Sequence, residues 1–328
     1  MTVVNDILKQ LPGLGLPQRK FLATLFVTIL VLRGRVNFRN LSRYCDYSER
    51  TIARQFREPF DWPAFHQRVL MTVLDPCSEV VSAHDASFIP KSGKRTFGLG
   101  HFFNGGASRA ERGLEISTLA VVDVTRRCAF TLAVAQTPPG AAATKAEPEA
   151  SRVDFYKQQL REHRHRLPPG VTSHGVDGYD AKKTYRDEVV SLGLHAITKL
   201  RSDADCVFLY TGPHPNRRGA RRKYDGKVNF QVLTRFEDLG TREEEPHLHL
   251  YTTVVWHKTL QRRLRIVVVL NRRDPAKPRF IILGSTDTDL HGRKLMELYA
   301  SRFQIEFLFR DSKQFTGLLD CQARAESA

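Results

Sequence analysis

Cysteine is scarce and unpaired in this sequence. The five residues Cys45, Cys77, Cys128, Cys206 and Cys321 stand far apart and are odd in number. No two share a C-x2-C spacing and none falls into a Cys/His zinc pattern. A disulfide framework and a structural zinc are therefore excluded, and free thiols in a reducing compartment are expected. The opening MTVVNDILKQLPG lacks the basic-then-apolar layout of a secretory signal, which points away from export and toward a cytoplasmic protein. Long hydrophobic runs are missing too. The apolar stretch FLATLFVTILVL, Phe21 to Leu32, is too short to cross a bilayer and reads as a buried helix, so no membrane partner is expected. There is no internal repeat, and the single compositionally biased piece, TPPGAAATKAEPEA at 137–150, reads as a loop leading into a helix.

Acidic residues are also in deficit: 35 Asp and Glu face 51 Lys and Arg, a formal charge of +16 in 328 residues. Cations recur along the whole length instead of in one tail, which favours a polyanionic partner whose affinity falls steeply with salt. Ribosomal or membrane-surface attachment would satisfy charge alone. A chain of this length buries a substantial core and divides into two or three units.

The most informative stretch is YASRFQIEFLFRDSK, Tyr299 to Lys313. On a continuous helix the offsets of three, seven and fourteen place Tyr299, Arg302, Glu306 and Lys313 within an arc of roughly 60°, in a line about 21 Å long. Leu295, Met296, Leu298, Phe303, Ile305, Phe307, Leu308 and Phe309 surround that polar stripe, and a helix apolar on nearly every side is normally buried. Two readings fit the stripe taken alone. One is an ordinary i,i+4 pair of Arg302 with Glu306 beside an edge tyrosine; the other is a metal-binding carboxylate flanked by cations that hold an anionic polymer.

The pattern Y-x2-R-x3-E-x6-K, with its setting ELYASRFQIEFLFRDSKQFTGL, resembles the signature of the insertion-sequence-four (IS-four) group of DDE transposases. HDASFIPKSGKRTFG, LRSDADCVFLYTGP and RKYDGKVNF are similar to that group as well. The resemblance runs from about Val80 to the C-terminus, with the N-terminal part matched only in general type. It implies that Glu306 is the third catalytic carboxylate and that Tyr299, Arg302 and Lys313 contact phosphates of the transposon end. It further implies a ribonuclease-H-like core, cleavage and joining of terminal inverted repeats, and a homodimer on paired DNA ends.

Read in order, the chain gives an α/β fold: a helical, helix-turn-helix-like N-terminal domain at 1–75, a ribonuclease-H-like core begun at 76–200, a β-strand insertion at 201–285, and the final core helix at 286–328. In the first part Ser48 caps a short helix. Phe38, Leu41, Tyr44, Ile52 and Phe56 face inward, and Arg39, Arg43, Arg50 and Arg54 outward, with Arg50 and Arg54 as the DNA-reading pair. A plain three-helix bundle with a solvated cationic face is the alternative. Next, SEVVSAHDASF reads as a short strand ending on Asp85, and GLEISTLAVVDV and CAFTLAVAQT as two strands separated by a turn at Arg126 and Arg127. A helix at about 149–166, a strand ending at Asp177, a second helix and the strand HAITKLR follow. Five further β-rich segments fill the insertion.

Phosphodiester cleavage by two metal ions needs carboxylate oxygens gathered from separate elements. Asp85, Asp177 and Glu306 are the candidates, as catalytic residues and as ligands of two Mg2+ ions for which Mn2+ can substitute. Asp123 competes with Asp85, and Asp180 with Asp177, since aspartate at a strand terminus is commonly a turn former. Lys91, Lys94 and Arg95 are placed to meet phosphates near the metals. The run of Arg217, Arg218, Arg221, Arg222 and Lys223 reads as a loop tracking a groove, and Trp256 as either a base-stacking aromatic or a core strand residue. The expectation is a bacterial, nucleoid-associated transposase of cut-and-paste type acting on double-stranded DNA, both terminal repeats and target. A non-catalytic DNA-binding regulator and a metal-dependent nuclease are the rivals. The chain stops fifteen residues after Lys313, where relatives of this kind continue with further helix; a shortened copy with every site residue present is expected.

Overall fold

The computed structural model describes residues 2–93, 95–139, 151–177, 183–213, 220–274 and 279–320. The chain forms two compact units, one of Met1–Val80, His84–Pro169 and Gln304–Ala328, the other of Val81–Ala83 and Gly170–Phe303. The first unit opens with helices α1 (Thr2–Lys9), α2 (Leu16–Val31), α3 (Phe38–Leu41), α4 (Glu49–Gln55) and α5 (Trp62–Val73). Polar side chains set their starts: Asn37, Ser48 and Asp61 each accept from the backbone N–H three residues on, ahead of α3, α4 and α5. Their core gathers Ile7, Leu8, Phe21, Leu22, Leu25, Leu41, Ile52 and Phe65.

Arg39, Arg43, Arg50 and Arg54 are exposed as expected. Tyr44 and Phe56, expected inside, are each 42% exposed. The reason is helix length: α3 has four residues and α4 seven, so Tyr44 and Phe56 fall past the helix ends, and Phe56 covers its core neighbours Phe38 and Phe21 only at the edge, at 5.1 and 6.2 Å between rings. The apolar run of α2 is buried mainly in its first half, through Phe21, Leu22, Ala23 and Leu25, while Leu30 and Val31 at its end are exposed.

The unit continues with strands β1 (Val80–Pro90), β2 (Gly100–Asn104), β3 (Arg109–Asp123) and β4 (Cys128–Gln136), then helix α6 (Arg152–His163). Strand order is β2-β3-β1, with β4 also paired to β3. The β3–β4 turn has Arg127 at φ 54°, as its position between the two apolar runs suggests. Strand β2 has no counterpart in the sequence reading, because its five residues GHFFN carry no clean alternation.

The second unit holds β5 (Ser173–Val176), α7 (Lys183–Ser191), β6 (His195–Leu200), β7 (Cys206–Leu209), β8 (Tyr224–Lys227), β9 (Glu237–Thr241), β10 (Leu248–His257), β11 (Arg262–Asn271), β12 (Arg279–Ser285) and α8 (Gly292–Ser301). β5 and β6 pair in parallel across the α7 crossover. From β6 the sheet runs on antiparallel through β12 and β11 to β10, which also pairs β7 and β9. The β-rich stretch after residue 200 therefore extends the sheet that contains β5 and β6. Its core includes Phe208, Phe230, Phe236, Val255, Ile266, Val268 and Ile282.

The last described element, α9 (Gln304–Phe315), returns to the first unit. The single helix expected over Tyr299–Lys313 is thus two helices. The Arg302 and Phe303 amides bond to the carbonyls of Tyr299 and Ala300, three residues back, and the Ser301 hydroxyl takes the Leu298 carbonyl at 2.8 Å. That tightening breaks the 3.6-residue period on which a single stripe depends. Among the described residues no helix is long and apolar enough to cross a membrane.

Candidate active site

In the first unit the alternation of β1 decides where Asp85 points. His84 is fully buried and bonds the Ser117 hydroxyl at 2.7 Å and the Gln159 side chain of α6 at 3.2 Å. Successive strand residues face opposite sides, so Asp85 faces away from α6. That other face is covered by α9, whose Ile305 and Phe309 pack with Ala120 of β3. Asp85 is half-buried and accepts from the Ala86 amide at 2.9 Å. Its strand does not end there, as the sequence suggested, but runs on to Pro90 through buried Phe88 and Ile89.

The level of Glu306 follows from register. The Lys313 ammonium donates to the Phe88 carbonyl at 3.1 Å. Along β3, Ala120 meets the start of α9 while Ile116 and Thr118 line a small hollow with Ser312 and Thr316, so α9 runs opposite to β3. The Val124 amide bonds the Glu79 carbonyl and Gly113 lies against Ile89, so β3 in turn runs opposite to β1. Helix α9 and β1 therefore run the same way. Seven helical residues back from Lys313 is about 10.5 Å, and three strand residues back from Phe88 is about 10 Å. By these rises Glu306 lies within about one helical turn of the level of Asp85. Glu306 is exposed, not buried as a helix apolar all round would have it, because its neighbour Phe307 also lies outward.

The competitor Asp123 has no exposed surface and its carboxylate accepts from the Arg126 amide at 2.9 Å. It is a turn former. Burial holds the His84 imidazole down to about 4, so it stays neutral near pH 7.

In the second unit Asp177 directly follows β5, whose four residues are all buried. A closed polar chain fixes that strand: the Ser82 hydroxyl bonds His174 Nδ1 at 2.9 Å, and His174 Nε2 meets the Tyr185 hydroxyl of α7 at 3.0 Å. Sequence reasoning did not find this trio, since a lone Ser, His and Tyr give no local pattern. Arg302 crosses over Gly175, where a Cβ would come within 3.5 Å of its side chain, and places Nη2 3.8 Å from the Asp177 carboxylate. The Tyr299 ring lies 5.8 Å from the same guanidinium. A cleft of about 580 Å³ opens beside Asp177, lined also by Lys199, Arg201, Asp203, Phe280 and Ile281.

The remaining candidates scatter. Lys91 is half-buried and Arg95 exposed in the loop after β1. Arg50 and Arg54 lie exposed on α4, with Arg221 and Lys223 exposed before β8. Arg222 stacks over Tyr210 at 4.7 Å and pairs with Asp225, so it is held more firmly than a loose loop cation. Trp256 is half-buried, outside the β-core, with Tyr224 5.9 Å away. Lys94, Asp180, Arg217, Arg218 and Cys321 lie outside the described residues.

Among the described residues no three His, Cys, Asp or Glu side chains form a group able to hold a metal ion. Asp85 and Glu306 belong to the first unit and Asp177 to the second. In kind the donors fit a hard divalent cation: all offer carboxylate oxygens, and Asp177 already faces a positive group in Arg302.

The family described as DDE superfamily endonuclease matches residues 14–263, well over half of the chain, and the protein belongs to that family. The match takes in Asp85, Asp177 and the N-terminal helices from α2 onward, and stops short of α8 and α9. Membership makes the protein a DNA-acting nuclease of the transposase type in general terms. No curated protein matches the chain.

Proposed function

We propose that the protein is a DNA transposase of the cut-and-paste kind, which cleaves transposon ends and joins them to target DNA. The observation that carries this reading is the Lys313–Phe88 hydrogen bond, which ties α9 beside β1 and from which we infer that Glu306 comes near the level of Asp85, 221 positions away in sequence. Asp177, which lies within the stretch that the family matches, is taken as the second acid of the trio. The strand orders β4-β3-β1 and β1-β5-β6 support a ribonuclease-H-like core.

In this reading Asp85, Asp177 and Glu306 would be the residues to hold two Mg2+ ions. When bound, such ions stabilise charge on the phosphorus and render water or a 3′ hydroxyl nucleophilic at neutral pH. The chain's own groups then position DNA. Arg302 orients Asp177, Tyr299 supports Arg302, and Lys199 and Arg201 face the strand beside the acid. The exposed arginines of the N-terminal helices hold duplex, and paired ends are bridged by a homodimer. The IS-four signature remains the guide to which ends are recognised.

The family's description as endonucleases favours one rival, a metal-dependent nuclease without joining. Sequencing the DNA that flanks the coding region, and looking for inverted repeats bracketed by a short duplication, supplies the substrate. Purified protein given that end, Mg2+ and a target plasmid is expected to yield joined products, and none with Asp85→Ala. Cut but unjoined ends would establish the nuclease instead, and no metal-dependent cutting would refute both.

A further inference from the structure

Away from the Asp177 cleft, the second unit buries positive charge that its described residues balance only in part. Arg186 on α7 is 5% exposed, and its Nε is buried without a hydrogen-bond partner among the described residues. Arg262, at the start of β11, has its Nε in the same state. The two guanidiniums are close enough that Arg262, after burial itself, helps push Arg186 down to about 10, which leaves it charged at neutral pH. His257 stands by, 7% exposed, accepting the Leu260 amide at Nδ1 at 3.3 Å and so keeping its proton on Nε2. Burial first, and Arg186 next, hold its pKa down.

One carboxylate faces these cations from their own elements. Asp187 pairs with Arg262 and, at 2.8 Å, with Lys183. Across from them Asp205 is engaged by Lys258 at 3.6 Å. Among the described residues Lys183, Arg186 and Arg262 are thus balanced chiefly by Asp187, and a buried guanidinium with an unmet N–H is costly unless an anion completes it. Asp187 is partly exposed and doubly held, so it can keep Lys183 while an incoming oxyanion takes Arg262. A planar guanidinium pair with an imidazole N–H suits a tetrahedral phosphate better than a carboxylate.

Strand register sets the location. Val268 pairs with Ile282, which pairs with Leu200 on the wall of the Asp177 cleft. Arg262 lies six residues before Val268, about 20 Å along β11. That span equals roughly six base pairs of duplex at 3.4 Å each.

We propose that Arg186, Arg262 and His257 form a phosphate-binding site, completed by one backbone phosphate of the duplex about six base pairs from the bond being cut. The assignment of the phosphate to DNA rests on the function proposed above. Affinity for duplex DNA is read by fluorescence anisotropy over a salt series without divalent metal, so cutting is not required. Arg186→Met is expected to reduce the slope of log K against log salt by about 0.9, the share of one phosphate. Inorganic phosphate, against chloride at equal ionic strength, is expected to raise the melting temperature of the wild type and not of Arg186→Met. An unchanged slope together with an unchanged phosphate response overturns the site. A lost phosphate response with an unchanged slope overturns its assignment to DNA and leaves a free-phosphate site. If Arg186→Met does not fold, Arg262→Gln carries the same two readings. Asp85→Ala, dead in cutting, is expected to keep both, which separates failure of this site from failure of the transposase reading.

Discussion

Tyr299 and Arg302 at one end of the sequence stripe, and Glu306 and Lys313 at the other, do different work. In the second unit Arg302 sets its guanidinium against the Asp177 carboxylate, with the Tyr299 ring beside it. In the first unit Lys313 turns inward to the Phe88 carbonyl and holds α9 along β1, while Glu306 is exposed. One cation meets an acid and the other fixes a helix. The lesson is that identical periodicity does not imply identical duty. What a cation does depends on whether its neighbour is a charge or a backbone dipole, and the break at Arg302 and Phe303 sends the two pairs to different surroundings.

The sharpest way to break the comparison is to neutralise acids. Asp85→Asn and Glu306→Gln are each expected to lower Mg2+-dependent DNA cutting beyond the roughly 10- to 100-fold typical of losing an outer partner of a metal ligand. Asp123→Asn, at a buried turn, is expected to leave cutting intact in a gel assay and to cost about 1 kcal/mol in urea melts. The reverse pattern would reassign the acid on this sheet to Asp123.

Acid should expose the buried side of β1. His84 has a folded pKa of about 4 against an ordinary 6.5. Between those values the unfolded chain binds more protons, so stability rises with pH and is lost as pH falls from 6.5 toward 4. The loss amounts to about 3 kcal/mol from this group. Urea midpoints in metal-free buffer at the two ends of that window should show it for the wild type, and much less of it for His84→Gln.

Arg302→Met leaves Asp177 without that guanidinium. With Asp177 about half exposed, the expected loss lies between surface and buried pairs, at about 1 to 2 kcal/mol, accompanied by reduced cutting. A variant as stable and active as the wild type would dismiss the pair. The smallest effect is assigned to Lys313→Met, about 1 kcal/mol of stability from one hydrogen bond, with the salt slope of DNA binding unchanged. A slope reduced by about one would instead make Lys313 a phosphate contact, as the sequence resemblance implies.

Much of this was legible beforehand. Apart from β2, the order of strands and helices from Val80 to Leu200 follows from apolar runs and the turn at Arg126 and Arg127. Asp85 was singled out by its setting, but its place inside a longer strand was hidden, since HDASFIP alternates too weakly to show where pairing stops. The burial of Asp123, the trio of Ser82, His174 and Tyr185, and the crowding of Arg186 with Arg262 left no trace in the sequence. Each depends on residues brought together from separate elements.

The sequence by itself determined the basic charge and most of the local elements, because composition, period and capping act over a few neighbouring residues. Only the tertiary structure decided which aspartate is a turn former, which cation meets which acid and that the final stripe splits in two. Those outcomes depend on burial and on distances between residues far apart in the chain, which no local pattern encodes.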